Sequence, residues 1–297
     1  MIRRIILTRT TGQLGNRLMV AAHAYAAALT IGADFWNPAF LEYSDWFQGP
    51  ARCRARWQAD GPEQRIPAWQ RTLAYGAVRA AWEGGKVARR IPGTGLGTAR
   101  ARNHAHLDLR EVVERAQASG VRTLLLQGYH FRHAPWAQAQ ADVLRRFFAP
   151  QPESSAAAQQ VLDRLRSQAD VVVGLHIRHG DYRHHLGGRF FYEVPVYLHF
   201  AHRLRELLAP RRVAFLVCSN APHAADDFAG LTWSAGPGGV VSDLAALAGC
   251  DYVLGPPSSF SSWAAFLGRT RLLRLQDPAM ELRLEDFAVQ EAPETEF

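Results

Sequence analysis

Residues 170–182, Asp-Val-Val-Val-Gly-Leu-His-Ile-Arg-His-Gly-Asp-Tyr, constrain this chain more than any other stretch. Val171 to Val173 are β-branched, and Leu175 and Ile177 extend the apolar run to a length that suits a buried strand. The strand ends in His176, Arg178, His179 and Asp181, with Gly180 breaking the pattern. Polar groups at the carboxyl end of a buried parallel strand sit where open α/β sheets bind ligands. Arg178 carries a permanently charged planar fork that matches phosphate oxygens. The stretch therefore reads as the site of an anionic ligand.

The rest of the chain alternates around it. Ile5 to Leu7 reads as a first strand, Thr11 to Asn16 as a glycine loop, and the alanine-rich stretch to Ile31 as a helix. Strand, glycine loop and helix together aim backbone N–H groups at an anion, although any tight strand-to-helix turn favours glycine and Asn16 serves equally as an N-cap. Helical pieces are expected over Trp69 to Trp82 and Glu83 to Arg90, and a loop over Pro92 to Gly97. A helix over 109–117, a strand over 121–128 and a helix over 137–148 follow. Pro150 to Ser155 reads as a linker between domains 1–155 and 156–297. The second half gives strands at 171–177, 213–218, 252–254 and 271–275, separated by helices at 194–208, 223–228, 242–248 and 260–266. Strands alternating with helices imply mainly parallel, doubly wound sheets.

Composition narrows the function classes. No window approaches 18 uninterrupted apolar residues, and the N-terminus lacks the long apolar core of a secretion signal, so an intracellular, cytoplasmic chain is expected. Cys53, Cys218 and Cys250 are an odd set without metal-ligand spacing, expected as reduced thiols, with Cys218 and Cys250 in apolar surroundings as core residues. The net charge of +7 is uneven. Residues 52–102 hold eleven basic side chains against Asp60, Glu63 and Glu83, a local balance of +8. That segment suits an anionic partner, including peripheral contact with the inner membrane, or it reflects an arginine-rich composition. No nucleic-acid-binding signature accompanies it, so no nucleic acid is expected. Trp46, Trp57, Trp69 and Trp82 lie among these arginines, as sugar-stacking groups or simply as core and rim.

Three segments carry a family resemblance. His176-Ile177-Arg178-His179-Gly180-Asp181-Tyr182 resembles the His-Val-Arg-Arg-Gly-Asp-Tyr motif of the α-1,2-fucosyltransferases, part of a superfamily with α-1,6- and protein O-fucosyltransferases. Gly12-Gln13-Leu14-Gly15-Asn16 is similar to that family's N-terminal glycine loop. Asp243 to Asp251, with Ser258-Ser259-Phe260-Ser261-Ser262-Trp263-Ala264, resembles its Asp-Leu-x-Leu-Met-x-x-Cys and Asn-Ser-Ser-Phe-Ser-Trp-Trp stretches. The resemblance implies a GT-B-like α/β architecture of two Rossmann-like domains facing across a cleft, with an acceptor-side N-terminal domain and a GDP-sugar-binding C-terminal one. It implies inverting transfer of fucose from GDP-fucose to a hydroxyl of a glycan or lipid-linked acceptor, with neither metal nor cofactor. Another GDP-deoxysugar donor, or a non-catalytic GDP-sugar- or glycan-binding module, is the alternative.

Residue roles follow from the same resemblance. Arg178 would clamp the β-phosphate, and Asn16 would reach across the cleft from the Gly15 loop. His176 and Asp243 would meet the guanosine side of the donor, and Ser258, Ser259 and Phe260 the diphosphate. His179 also falls within the donor motif. Read locally, Ser258-Ser259 and Asp243 are equally ordinary helix caps. Departures are His179 where the family has a second arginine, Pro257 before Ser-Ser, and Ser219-Asn220-Ala221 in place of a Ser-Asp-Asp turn. The general base stays open among Asp181, His184, His185 and Glu193. The histidines at 176, 179, 184 and 185 lack the spacing of a metal site.

Overall fold

The computed structural model describes residues 1–9, 12–58, 65–88, 95–101, 106–128 and 130–294, with side chains in helix 68–88 described at 68–80 and 83. Thr11, Asp60, Glu63, Arg89, Arg90, residues 92–94, Arg102 and Tyr129 lie outside them, as does the side chain of Trp82. The chain forms two compact units, Met1–Gln151 and Pro152–Phe297.

The first unit runs β1 (Arg4–Arg9), α1 (Leu14–Ile31), β2 (Asp34–Trp36), β3 (Arg56–Trp57), α2 (Ala68–Ala88), β4 (Leu96–Arg100), α3 (Leu109–Ala118) and β5 (Thr123–Gln127). Its sheet has the order β3-β2-β1-β5-β4, parallel except between β2 and β3. The alanines of α1 are buried from Ala21 to Ala28, since small side chains let the helix lie close on its neighbours. Tyr25, Phe35, Phe40, Trp57, Phe147 and Phe148 pack ring against ring in the core. Trp57 is thus a core residue, whereas Trp46 and Trp69 are exposed.

Several expectations for this unit are corrected. The two helical pieces at 69–90 form one helix, α2, over the described residues. The expected loop ends early, because β4 begins at Leu96 and pairs with β5. Gly97 signals a loop in sequence, but here it makes room, since a Cβ would come within 2.7 Å of Val121 Cγ2. The single helix expected at 137–148 is two, Ala134–Ala139 and Ala141–Phe147, broken at Gln140.

The second unit runs α4 (Pro152–Arg166), β6 (Val171–Ile177), α5 (Val194–Leu207), β7 (Val213–Ser219), β8 (Trp233–Ala235), α6 (Val240–Ala248), β9 (Tyr252–Gly255), α7 (Ser259–Gly268), β10 (Arg271–Arg274) and β11 (Ala288–Val289). Pro152 opens α4, so most of the stretch read as a linker is that helix's first turn. The sheet order is β8-β7-β6-β9-β10-β11, parallel except for β11. All seven residues of β6 are buried. Val171, Val173, Leu175 and Ile177 share the core of Tyr197, Phe200 and Leu204 from α5. Full burial of Phe200 or Leu204 contributes roughly 1.5–3 kcal/mol each.

The order places β6 at the turning point of the topology. The chain leaves β6 towards β7 and β8, then returns past it to lay β9 on its other side. Loops after β6 and β9 therefore diverge and leave a crevice at the carboxyl ends, the position where such sheets hold ligands.

Candidate functional site

His176 and Arg178 stand at that crevice because β6 ends between them. Leu175 pairs with Leu254, which brings Gly255 beside His176. A Cβ on Gly255 would lie 2.7 Å from the His176 carbonyl oxygen, so the two strands close up only around glycine. Phe260, in the first turn of α7, lays its ring 5.2 Å from the His176 imidazole. His176 is 3% exposed, and its Nδ1 is buried without a hydrogen bond. Burial, with the Arg178 cation beside it, drives the His176 pKa down to about 3. The ring is neutral at physiological pH and presents the crevice with an uncharged, polar aromatic group.

Arg178 lies over the Tyr182 ring, 5.5 Å from its centroid, and holds Asp181 at 3.0 Å. The Tyr182 hydroxyl donates to the Pro257 carbonyl at 2.7 Å, fastening the turn after β6 to the loop after β9. Ser258 follows at once. Its hydroxyl accepts from the Phe260 N–H at 3.2 Å, so it caps α7 as its local pattern allowed. Ser259 and Phe260 are half-buried in the first turn, where backbone N–H groups favour an anion. Donor-motif residues from two segments thus meet around one crevice.

Asp243 is not the N-cap that local sequence allowed. Gly239 holds that position, and Asp243 sits inside the first turn of α6, accepting the Gly238 N–H at 3.0 Å. Burial raises its carboxyl pKa, and the Gly238 hydrogen bond opposes the shift. His179 turns its ring elsewhere. Its Nε2 lies 2.9 Å from the Tyr192 carbonyl, and the ring packs on Phe191 and His223. His184 and Glu193 are exposed, and His185 stacks on Tyr182 at 5.2 Å. Among the described residues, no group of three or more His, Cys, Asp or Glu side chains is arranged to hold a metal ion.

Asn220, in the sequence only a departure from a motif, has a structural role. At the end of β7 its Oδ1 accepts the His179 N–H at 2.8 Å, while its Nδ2 reaches Asp181 at 3.4 Å. It therefore braces the turn that carries Arg178. Its neighbour Ser219 bonds His223 at 3.0 Å, and His223 lies 3.5 Å from Asp227, a chain that buttresses the ring of His179. Only a polar pair at the end of an apolar strand marked this role in the sequence.

Gly15 and Asn16 belong to the first unit, at the carboxyl end of β1. Asn16 is not an N-cap: Gln13 precedes α1, and Asn16 is its third residue, half-buried. Gly12 has φ +88°, and a Cβ there would meet Asn16 Nδ2 at 2.6 Å, so the Asn16 side chain lies folded over this glycine. Arg17 donates to the Gly12 carbonyl at 3.1 Å and pairs with Glu42 at 2.8 Å, holding the loop from its other side.

No protein-family model matches the chain, and no curated protein matches it by sequence. Solved structures do. A structure of a mutant Arabidopsis thaliana FUT1 in complex with GDP aligns with 93% of this chain and 71% of its own, at 14% identity and a TM-score of 0.57. Fucosyltransferase NodZ from Bradyrhizobium aligns over 92% of this chain and 96% of its own, at 16% identity and a TM-score of 0.57. POFUT1 in complex with GDP aligns over 90% and 95%, at 10% identity and a TM-score of 0.53. At such identities the likeness speaks for the fold, a GT-B-type pair of Rossmann-like units with mainly parallel sheets.

Proposed function

We propose that this chain is a metal-independent, inverting glycosyltransferase that moves L-fucose from GDP-β-L-fucose to a hydroxyl of a glycan acceptor. One observation carries the reading. Arg178, neutral His176 and the first turn of α7 flank a single crevice at the turning point of the second sheet. In the reaction, the acceptor oxygen attacks the anomeric carbon while the bond to the β-phosphate breaks and GDP leaves with the electron pair, the acceptor's hydroxyl proton passing to a base in the loop after β6 or to solvent. Negative charge grows on the diphosphate during this step, and a fixed cation aimed there stabilises the transition state. Arg178 is that cation, and Asp181 acts by orienting it. Ser259 and the N–H groups at the start of α7 receive the diphosphate, with Ser258 setting the turn that presents them. Phe260 and His176 line the approach, and Asp243 accepts hydrogen bonds from the guanosine side.

The motif spelled His-Ile-Arg-His-Gly-Asp-Tyr supports an α-1,2 linkage, and the basic segment 52–102 would accommodate a bacterial surface glycan or lipid-linked acceptor in the cytoplasm. Asn16, over its glycine turn, is a further residue we assign to catalysis.

The test is thermal stabilisation by GDP, UDP and ADP, followed by slow hydrolysis of GDP-fucose against GDP-mannose. GDP-selective stabilisation with GDP-fucose turnover is expected. GDP binding without turnover of either donor would favour another GDP-deoxysugar or a binding module. Absence of any preference for GDP would overturn the reading.

A further inference from the structure

Among its described residues, helix α2 is packed on its unit through one face. Arg71 and Tyr75, buried at 0% and 1%, point inward, and Arg71 bonds the Ala51 carbonyl and the Asp45 carboxylate. The opposite face is apolar. Trp69 and Leu73 are 63% and 66% exposed, which makes them the most exposed large apolar side chains after Met1 among the described residues. At helical spacing, exposed Gly76, Ala77 and Ala80 prolong their stripe, which runs uncharged for about three turns until exposed Glu83 closes it. Trp46, on the adjoining 3₁₀ turn, is exposed as well.

Cations flank this stripe. Arg54 reaches over to Gln70, one residue beyond Trp69, at 3.3 Å. Arg79 is exposed on the other flank, and Arg65 is exposed just ahead of the helix, paired with Asp45. The surrounding sequence, residues 52–102, carries the local balance of +8. A second copy of the chain would bring the same charge to the contact and be repelled. An anionic bilayer answers both features. Trp and Leu settle at the boundary between headgroups and acyl chains, while arginines meet lipid phosphates.

We propose that the Trp69–Leu73 face of α2 is a peripheral membrane-docking surface for anionic phospholipid. Docking is reversible, because one short stripe and a few cations make a modest anchor. The inference is independent of the transfer reading, since vesicle binding involves neither GDP nor turnover.

The experiment is co-sedimentation of the full chain with phosphatidylcholine vesicles, with and without phosphatidylglycerol. Binding is expected to the anionic vesicles alone and to be released by salt. Trp69→Ser with Leu73→Ser should weaken binding at least about tenfold, equivalent to about 1.4 kcal/mol, at an unchanged melting temperature. Arg54→Glu with Arg79→Glu should weaken it too. Equal binding to neutral and anionic vesicles, or wild-type binding by the Ser variant, overturns the proposal. So does a wild-type dimer that the Ser variant converts to monomer without any vesicle binding, which would assign the face to a second copy. Binding to transfer RNA in preference to vesicles would overturn it as well.

Discussion

Arg178 and Asp181 meet at 3.0 Å across the turn that follows β6, and Asn220 holds the same carboxylate at 3.4 Å from the end of β7. The guanidinium is thereby aimed before any ligand arrives. Half of the Asp181 side chain is exposed, so solvent screens the pair and its contribution to stability is small, about 0–1 kcal/mol. Its value lies in direction. Arg178→Lys should lose most turnover and keep the fold, because an ammonium cannot reproduce the planar fork. Asp181→Asn should lower kcat about tenfold or more, as expected when a positioned transition-state contact is loosened, with a small change in melting temperature. Steady-state kinetics with GDP-fucose, beside a thermal melt, checks both.

Ser258 separates cap from ligand group. Ser258→Ala should cost about 1 kcal/mol of stability through the lost bond to the Phe260 N–H. Calorimetric titration with GDP should show weaker affinity, because the turn that presents Ser259 loosens with it. Unchanged GDP affinity at reduced stability would make Ser258 a cap alone.

Asn16 gives the reverse pattern. It is neither the N-cap of α1 nor a core residue, so Asn16→Ala should leave the melting temperature within about 0.5 kcal/mol of stability, as for a surface substitution. Turnover should nonetheless fall. Gly12→Ala, by contrast, meets both a left-handed backbone and the Asn16 side chain, and should destabilise the loop. Pairing Gly12→Ala with Asn16→Ala should restore part of that loss, leaving the backbone term.

The neutral state of His176 links stability to pH. The folded state holds the ring unprotonated down to about pH 3, whereas the unfolded chain takes up the proton near the ordinary value of 6.5. Between those values the unfolded state binds more protons, so stability rises with pH and is lost as pH falls, by up to about 1.4 kcal/mol per unit. Burial likewise lowers His106 and His223, which add to the same slope. Urea unfolding at pH 7 and pH 5 should show a smaller difference for His176→Phe than for the wild type.

Gly255→Ala tests the strand contact that shapes the crevice. The added methyl would strike the backbone of His176, which cannot swing away, so a loss of about 1–3 kcal/mol is expected in urea unfolding. Stabilisation by GDP should vanish along with it.

The second unit was largely legible in the sequence because its signals are local. The apolar run of β6 and the polar residues ending it placed the strand, its burial and the crevice together, and β7, β9 and α7 followed from runs of the same kind. What was missed depends on distant partners. Nothing near Leu96 says that a strand will pair with β5, and Gly97 argues against one until Val121 is seen to need the space. Trp233 to Ala235 becomes a strand only because β7 lies beside it. Asn220 braces two residues some forty positions away, a role no spacing could announce. His179 turned out to serve the Tyr192 carbonyl and a cluster of rings, which its place in the motif did not suggest.

The aromatic core of the first unit has a consequence for synthesis. Phe147 and Phe148, which pack on Trp57, Tyr25 and Phe40, stand at the very end of that unit, and Pro150 bridges back to Phe47 immediately after them. A nascent chain emerging from the ribosome lacks these rings until nearly all of Met1–Gln151 has been exported. The N-terminal half therefore waits, open at its core, for its last few residues, and only then does the sequence of the second sheet begin to appear.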